Sequence, residues 1–434
     1  MTLKARGATV TRRLRSAGGQ VIRRLGLLPG GTPDGLGEDD QLLGQRLDAE
    51  IVVYFPDTTN ALYQLEQWYA ALRALDRVHK VVVILQDSRT AAHVRRDSGL
   101  PCHVIARYGT LDDMLGRSDV RMALYVNHSV LNFAMLRFSS LVHVSLLHGD
   151  SDKTVSVSNQ TKAYDFTFVA GQAAIDRVRS FITLFDPARC IPVGRPNLDA
   201  ELLERAASDG STEAAAPRDV APDGRPTVLY APSWEGAQPS AFYGTTASHG
   251  RAIVDALVAD GRFRVIYRPH PLSGVRLGEY GEADGDVRAA VARAAAADPR
   301  AGHRVDEGNP ITDSFDAADL LVCDVSAVSM EWLPSGKPLI ITEPDQPQVV
   351  VARTPLGDVV ARLDAAHAGE VAQMAAHELE ADPSRAERLA LIEHYLGDTT
   401  PGASLGHFLT AIDDVLARRD AEWARLQRNG AVGP

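Results

Sequence analysis

Polar and charged residues follow four short apolar runs of this sequence. The four segments read LLHGDSDK (146–153), LYAPSWEG (229–236), YRPHP (267–271) and CDVSAVSMEW (323–332). In doubly wound α/β folds, ligands bind at the carboxyl ends of the strands, so residues in these positions are candidates for chemistry. Histidines, cations and the unpaired amides at the start of a helix together suit an anion such as a diphosphate.

Three residues in these segments are candidates for proton transfer or anion binding. His148 precedes Gly149, and a glycine lets a backbone or a ligand approach closely. His270 lies between two prolines on a rigid turn, where a purely structural histidine is the alternative interpretation. Ser326 precedes a predicted helix, where it either binds an anion or acts as an ordinary N-cap. The same segments also contain the candidates Lys153, Ser233, Arg268 and Asp324.

The cysteine spacing and the absence of several standard motifs exclude some kinds of site. Cys102, Cys190 and Cys323 are an odd number at wide spacing, which indicates neither a disulfide framework nor a paired-cysteine metal site. The sequence contains no GxGxxG, Walker or HExxH motif. We predict no metal ligands among the candidates, we assign no cofactor, and we leave a requirement for a divalent cation open.

Charge is distributed unevenly along the 434 residues. The formal net charge is −11, yet residues 1–33 carry seven basic side chains and no acidic one. The body of the protein is therefore strongly acidic. Because a nucleic-acid groove needs lysine and arginine along the main fold, we predict no nucleic-acid partner.

The basic N-terminal arm, residues 1–40, has the pattern of an interfacial helix. Apolar residues recur at steps of three and four from Val10 to Leu28, with arginines around them. Gly18 and Gly19 disfavour a continuous helix, and a disordered basic tail is the alternative. No apolar run reaches the ~18 residues of a membrane span. We expect a cytoplasmic protein that is peripheral on the inner face of the cell membrane, with the arm on an anionic membrane surface.

Short β-branched runs alternate with helix-like segments from Glu50 onward. Continuous apolar runs of this kind indicate strands that are buried on both faces of a parallel sheet. One series of predicted strands lies at 50–55, 80–85, 122–127, 142–147 and 166–170. A second series lies at 227–231, 264–268, 320–324 and 338–342, with helices near 249–260, 285–297 and 327–334.

These two series predict an α/β protein of two Rossmann-like lobes with a helical C-terminal segment. We place the N-terminal lobe at 45–200, a linker at 201–226, the C-terminal lobe at 227–365 and the C-terminal helices at 366–434. The linker is assigned because residues 208–226 are rich in small and turn-forming types and show no hydrophobic period.

Taken in order, the segments resemble the CDP-glycerol glycerophosphotransferase family, whose members prime or polymerise teichoic acids and related capsule polymers. The resemblance begins with a strand, His148-Gly149 and then Lys153. It continues through YDFTFVAG at 164–171, a Gly-x-Pro-x-x-Asp turn at 194–199, LYAPSW, the basic-Pro-His-Pro turn, and an Asp-x-Ser segment before GKPLII. It covers roughly residues 142–343.

The resemblance implies a GT-B-like architecture, in which the two lobes face a cleft. The C-terminal lobe would hold the nucleotide and the N-terminal lobe would contribute acceptor chemistry. A hydroxyl of a lipid-linked polymer acceptor would attack the β-phosphorus of a CDP-activated polyol and release CMP, with His148 as general base. Lys153 and Gly149 would lie on the acceptor or phosphate side. The donor phosphates or nucleotide would contact Ser233, Arg268, His270, Asp324, Ser326 and Glu331, with Glu331 on the ribose hydroxyls.

Two departures from the family pattern leave the transferred group open. The family segment Asp-Tyr-Ser-Ser is here Asp324-Val325-Ser326-Ala327, and acidic Asp150 and Asp152 stand where the family has a lysine-rich stretch. A different polyol or a sugar phosphate would fit these changes. The alternatives are a nucleotide-sugar glycosyltransferase of the same architecture and a degenerate, non-catalytic assembly subunit.

Overall fold

The computed structural model describes residues 37–147, 149–154, 157–208, 219–236, 238–307 and 310–430. The arm up to residue 36 and His148 lie outside the described residues, so the expectations for both remain predictions.

A seven-stranded parallel sheet forms the centre of the N-terminal lobe. Its order, β3-β2-β1-β4-β5-β6-β7, is that of a Rossmann fold. The β1 run is buried on both faces, because Ile51 and Val53 pack against one layer of helices and Val52 and Tyr54 against the other. The strands are β1 (Ile51–Phe55), β2 (Val81–Leu85), β3 (Cys102–Val104), β4 (Met122–Tyr125), β5 (Val142–Ser145), β6 (Phe166–Val169) and β7 (Cys190–Pro192).

The C-terminal lobe contains a second parallel sheet with the order β10-β9-β8-β11-β12-β13. This order repeats the Rossmann arrangement, so the two predicted Rossmann-like lobes are confirmed. The strands are β8 (Thr227–Ala231), β9 (Arg264–Tyr267), β10 (Arg304–Val305), β11 (Leu320–Asp324), β12 (Leu339–Thr342) and β13 (Ala361–Leu363).

Helices cover both faces of each sheet, and the predicted C-terminal helices are present. The α-helices of the described residues are α1 (Glu38–Leu42), α2 (Tyr63–Glu66), α3 (Tyr69–Asp76), α4 (Ser88–Asp97), α5 (Tyr108–Arg117), α6 (Gln172–Phe181), α7 (Pro196–Ser208), α8 (Arg251–Asp260), α9 (Gly278–Ala297), α10 (Ile311–Ala317), α11 (Ala327–Trp332), α12 (Pro355–Val359), α13 (Val371–Ala381), α14 (Arg385–Leu396) and α15 (Ala403–Arg428). Short 3-10 helices span Thr59–Ala61, Val130–Arg137, Asn159–Ala163, Pro187–Arg189, Pro239–Ala241, Leu333–Ser335 and Ala365–Glu370. None of the helices in the described part of the chain is long and apolar enough to cross a bilayer.

The last helix, α15, returns to the N-terminal lobe. Phe408 and Ile412 lie in the same buried cluster as the residues of β1. The carboxylate of Asp199 accepts the backbone N–H groups of Gly402 (2.7 Å) and Leu405 (2.9 Å) at the start of the helix. Asp199 is the aspartate of the Gly-x-Pro-x-x-Asp turn, so this motif residue anchors α15.

The two lobes share part of their core. Ala170 and Ala173 of the N-terminal lobe belong to one buried cluster with Trp332 and Tyr395. A Cβ atom on Gly171 would come within 2.7 Å of the Tyr395 backbone. Gly171 therefore permits a close approach between α6 and α14 that a larger residue would prevent.

Candidate active site

The predicted catalytic histidine follows β5 in the sequence, and the described residues on either side of it lie at the lobe boundary. Leu147 has φ 57°, a conformation that is rare for a leucine. Its carbonyl accepts the indole N–H of Trp68 at 2.8 Å. A Cβ on Gly149 would lie 3.1 Å from the Cβ of Ala327. The turn of the N-terminal lobe therefore meets the first residue of α11, which belongs to the C-terminal lobe.

Lys153 reaches from the N-terminal lobe into the C-terminal lobe. Its ammonium group donates to the Ser233 hydroxyl at 3.0 Å and lies 5.3 Å from the centre of the Tyr243 ring. Burial lowers the pKa of Lys153 to about 8, an effect that nearby Asp324 partly opposes. Lys153 is therefore a cation held between the lobes, and its pKa lies well below that of an exposed lysine.

Asp324, at the end of β11, is fully buried. Its oxygens accept the Ser233 backbone N–H (2.5 Å) and the hydroxyls of Thr245 (2.5 Å) and Thr342 (2.6 Å). Burial raises the pKa of this carboxyl group, while these hydrogen bonds and Lys153 lower it. The protein donors engage both oxygens, so the geometry favours a role in positioning the loops that follow β8 and β11.

Ser326 precedes α11 at the N-cap position, but its side chain does not cap the helix. Its hydroxyl oxygen is buried and has no hydrogen-bond partner within the described residues. An unpaired buried hydroxyl costs about 1–3 kcal/mol, so such a group is rare unless a ligand or water completes it. The ordinary N-cap interpretation therefore does not describe this serine, and its hydroxyl is available to a phosphate oxygen.

His270 lies on the loop after β9, between aromatic rings from both lobes. The Trp234 ring stacks on it with centroids 6.1 Å apart, and Tyr63 of α2 meets it edge-on at 5.9 Å. The backbone N–H of Leu272 donates to Nδ1 at 3.1 Å. In the neutral ring this assigns the proton to Nε2, which makes Nε2 a hydrogen-bond donor.

Glu235 holds the same loop, and sequence reasoning missed it. The side chain is fully buried and accepts the backbone N–H groups of Gly274 (2.9 Å), Arg276 (2.8 Å) and Leu277 (3.1 Å). The only sequence signal is an acidic residue directly after the buried-strand segment LYAPSW. Its partners lie about forty positions away, so pairing was not visible in the sequence.

Two further predicted site residues are engaged by protein groups. The Arg268 guanidinium lies 3.3 Å from both Asp306 and the Ser314 hydroxyl. The Glu331 carboxylate forms a largely buried ion pair with Arg195 of the N-terminal lobe. A ribose contact through Glu331 would therefore have to share this carboxylate with Arg195, and both assignments stay predictions.

The acidic pair that departs from the family pattern has a structural partner. Asp150 and Asp152 both bind the guanidinium of Arg177 on α6, and Asp152 also accepts the Tyr395 hydroxyl at 2.7 Å. These contacts tie the turn after β5 to the helix α14. Within the described residues, no group of three or more histidine, cysteine or acidic side chains is arranged to hold a metal ion.

Sequence comparison assigns the family. Residues 125–361 match the family described as CDP-Glycerol:Poly(glycerophosphate) glycerophosphotransferase, and this range is more than half of the 434 residues. The chain belongs to this family. It is a CDP-glycerol glycerophosphotransferase-like enzyme, and the predicted resemblance is confirmed. No curated protein matches the sequence.

Solved structures show that the chain has a GT-B-like fold. The wall teichoic acid polymerase TagF is similar with a TM-score of 0.54 at 12% identity, over 94% of this chain and 98% of TagF. A TagF variant solved with CDPG gives 0.53 at 13% identity, over 96% and 98%. S. aureus MnaA, solved with UDP, gives 0.53 at 11% identity, over 85% and 97%. At these identities the likeness concerns the fold.

Proposed function

We propose that the enzyme transfers glycerol phosphate, or a related polyol phosphate, from a CDP-activated donor to a hydroxyl of a lipid-linked cell-wall or capsule polymer. The observation that carries the proposal is the meeting of the two lobes at one place. Gly149 beside the predicted base lies against Ala327, and Lys153 binds Ser233. Residues predicted for the acceptor side and for the donor side therefore converge.

The proposed reaction is a displacement at the β-phosphorus of the donor. The acceptor oxygen forms a bond to this phosphorus, and the bond to the bridging diphosphate oxygen breaks. CMP leaves with that oxygen, and a phosphodiester is formed. The proton of the attacking hydroxyl passes to His148, the proposed general base.

The donor diphosphate would be held by three groups in this proposal. His270 lies on the loop after β9 with Leu272 N–H on its Nδ1, the Ser326 hydroxyl is unpaired within the described residues, and the Lys153 ammonium lies beside Ser233. Donors of this kind stabilise the negative charge that develops on the leaving phosphate. Asp324 would act by holding the Ser233 loop in place.

A donor panel tests this function. The purified enzyme is incubated with CDP-glycerol, CDP-ribitol and several nucleotide sugars, and released CMP is scored against released nucleoside diphosphate. We expect CMP from a CDP-polyol. Release of nucleoside diphosphate from a nucleotide sugar would instead support a glycosyltransferase, and nucleotide binding without any release would support a non-catalytic subunit.

Donor affinity should fall as the pH rises through the pKa of Lys153. The ammonium attracts the diphosphate only while it is protonated, and its pKa is about 8. Titration calorimetry from pH 7 to 9.5 should show the Kd for CDP-glycerol rising by about tenfold or more, with proton uptake on binding at the upper end.

Lys153→Met should remove this pH dependence, whereas Lys80→Met should keep it. Lys80 is an exposed control because it pairs with Asp48 on the surface of the N-terminal lobe. An unchanged pH profile in Lys153→Met would show that another group titrates.

The basic arm should recruit the enzyme to anionic membranes. Each basic side chain near such a surface contributes about 1 kcal/mol, and residues 1–33 carry seven of them. In flotation with anionic liposomes at low salt, deletion of residues 1–33 should abolish binding and leave a folded body. Equal binding by the full-length and shortened proteins would exclude this role for the arm.

A further inference from the structure

Buried polar atoms without partners are concentrated in the segment that follows β4. Within the described residues they include Oδ1 of Asn127, both ring nitrogens of His128 and Oδ1 of Asn132. Each such atom costs about 1–3 kcal/mol, and native structures hold few of them. The Asn127 amide is oriented by its Nδ2, which donates to Asp57 (2.9 Å) and Gln64 (2.8 Å). This cluster of unpaired buried polar atoms favours a binding site for a ligand with hydrogen-bonding groups.

Asp57 follows β1 and presents a half-buried carboxylate beside this segment. Its Oδ1 accepts the Ser129 hydroxyl at 3.1 Å, and its Oδ2 accepts the Asn127 amide at 2.9 Å. These bonds set the direction of the carboxylate, and each of its oxygens has the capacity for a further hydrogen bond. Asp57 is therefore a preoriented acceptor at the carboxyl edge of the sheet.

A chain of contacts joins this carboxylate to the donor side of the cleft. Gln64, which accepts from Asn127, donates to the Tyr63 hydroxyl at 3.2 Å. The Tyr63 ring meets His270 edge-on. A group bound at Asp57 would thus lie in the N-terminal lobe, on the side from which Tyr63 contacts His270. His270 is the residue proposed to hold the diphosphate.

We propose that Asp57, Asn127 and His128 form an acceptor subsite for the vicinal hydroxyls of an uncharged polyol or sugar unit. The proposal rests on the proposed function and names the part of the acceptor that is recognised. Two neighbouring hydroxyls can donate to the two oxygens of one carboxylate. The same carboxylate repels a phosphate group, so the recognised unit is neutral.

His128 suits a hydroxyl because its ring is uncharged. Burial lowers the pKa of His128 to about 4, so the neutral imidazole offers one N–H donor and one acceptor nitrogen at physiological pH. A hydroxyl likewise both donates and accepts. The ring packs on Tyr164 at 5.8 Å, and since the χ2 angle of histidine is broad, the ring can turn toward a bound hydroxyl.

Saturation-transfer NMR on the full chain tests the subsite with glycerol, ribitol, methyl glucoside and glycerol 3-phosphate as probes. We expect saturation transfer to at least one neutral polyol. Asp57→Ala should weaken its binding by about tenfold or more, because hydrogen bonds to a charged group are lost. Asp119→Ala is the matched control. Asp119 is exposed and forms an ion pair with Arg46. It precedes β4, so it lies at the edge of the sheet opposite to the carboxyl edge that carries Asp57.

A second variant separates binding from folding. His128→Phe keeps a ring against Tyr164 and removes the two unpaired nitrogens, so the Tm should stay level or rise while polyol binding weakens. The CDP-glycerol affinity of both variants, measured by calorimetry, should match that of the unmodified enzyme.

The outcomes distinguish the subsite from the proposed function. Equal polyol binding by Asp57→Ala and the unmodified protein, or no saturation transfer to any neutral polyol, would each overturn the subsite. None of these results affects the donor panel. If no CDP-polyol donor releases CMP, the proposed function is wrong. The binding of the polyol probes still tests the subsite in that case.

Discussion

His148→Ala is expected to lower turnover by at least ~100-fold while CDP-glycerol binding survives. An alcohol attacks poorly unless its proton is removed as the new bond forms, and an imidazole with a pKa of ~6.5 suits that task. His148 follows β5 in the sequence, and Gly149 beside it meets Ala327 of the C-terminal lobe. The expectation is checked by measuring turnover and titrating CDP-glycerol into the same variant.

His148→Gln provides the matched comparison, because it retains polar size and some hydrogen bonding but cannot act as the base. It should not restore turnover. If instead donor binding collapses while turnover at saturating donor is normal, His148 is a phosphate ligand. Asp150 and Asp152 are the acidic residues nearest in sequence, but their contacts with Arg177 make them poor substitutes for a base.

His270→Ala is expected to raise the Kd for CDP-glycerol by about tenfold or more, because a hydrogen bond to a charged phosphate is lost. The Tm should fall by no more than a few degrees. The loop that carries His270 is held independently, since buried Glu235 accepts the backbone N–H groups of Gly274, Arg276 and Leu277. Calorimetric titration and thermal unfolding measure the two quantities.

Glu235→Ala should behave differently from His270→Ala. Removing the carboxylate leaves three backbone donors without their partner, so the Tm should fall clearly and donor affinity should fall with it. A large loss of stability in His270→Ala together with normal donor affinity would show that the Pro-His-Pro turn is structural.

The sequence predicted the interior of both sheets and missed their edges. All nine predicted strands are present, and the missed strands are β3, β7, β10 and β13, which lie at the four sheet edges. An interior strand is buried on both faces, so its sequence is a continuous run of apolar residues. The edge strands have only two or three residues each, too short to show such a run.

The sequence indicates candidate site residues from their local positions, but it does not reveal the partners that lie far apart along the chain. Ser326 and His270 were selected from their positions after strands. Within the described residues the Ser326 hydroxyl is buried without a hydrogen-bond partner, and the Leu272 N–H donates to Nδ1 of His270. The ligand-binding roles of both residues stay predictions. The ion pair of Glu331 with Arg195 joins residues 136 positions apart, which no spacing rule reveals. The contact of Tyr63 with His270 joins the two lobes in the same way.

The most direct test of the central claim is to follow CDP-glycerol by phosphorus NMR in the presence of enzyme and a membrane fraction that supplies acceptor. The account predicts that the diphosphate signals disappear while CMP and a new phosphodiester appear in equal amounts, and that His148→Ala stops both. Consumption of a nucleotide sugar with release of nucleoside diphosphate, and no cleavage of CDP-glycerol or CDP-ribitol, would contradict it.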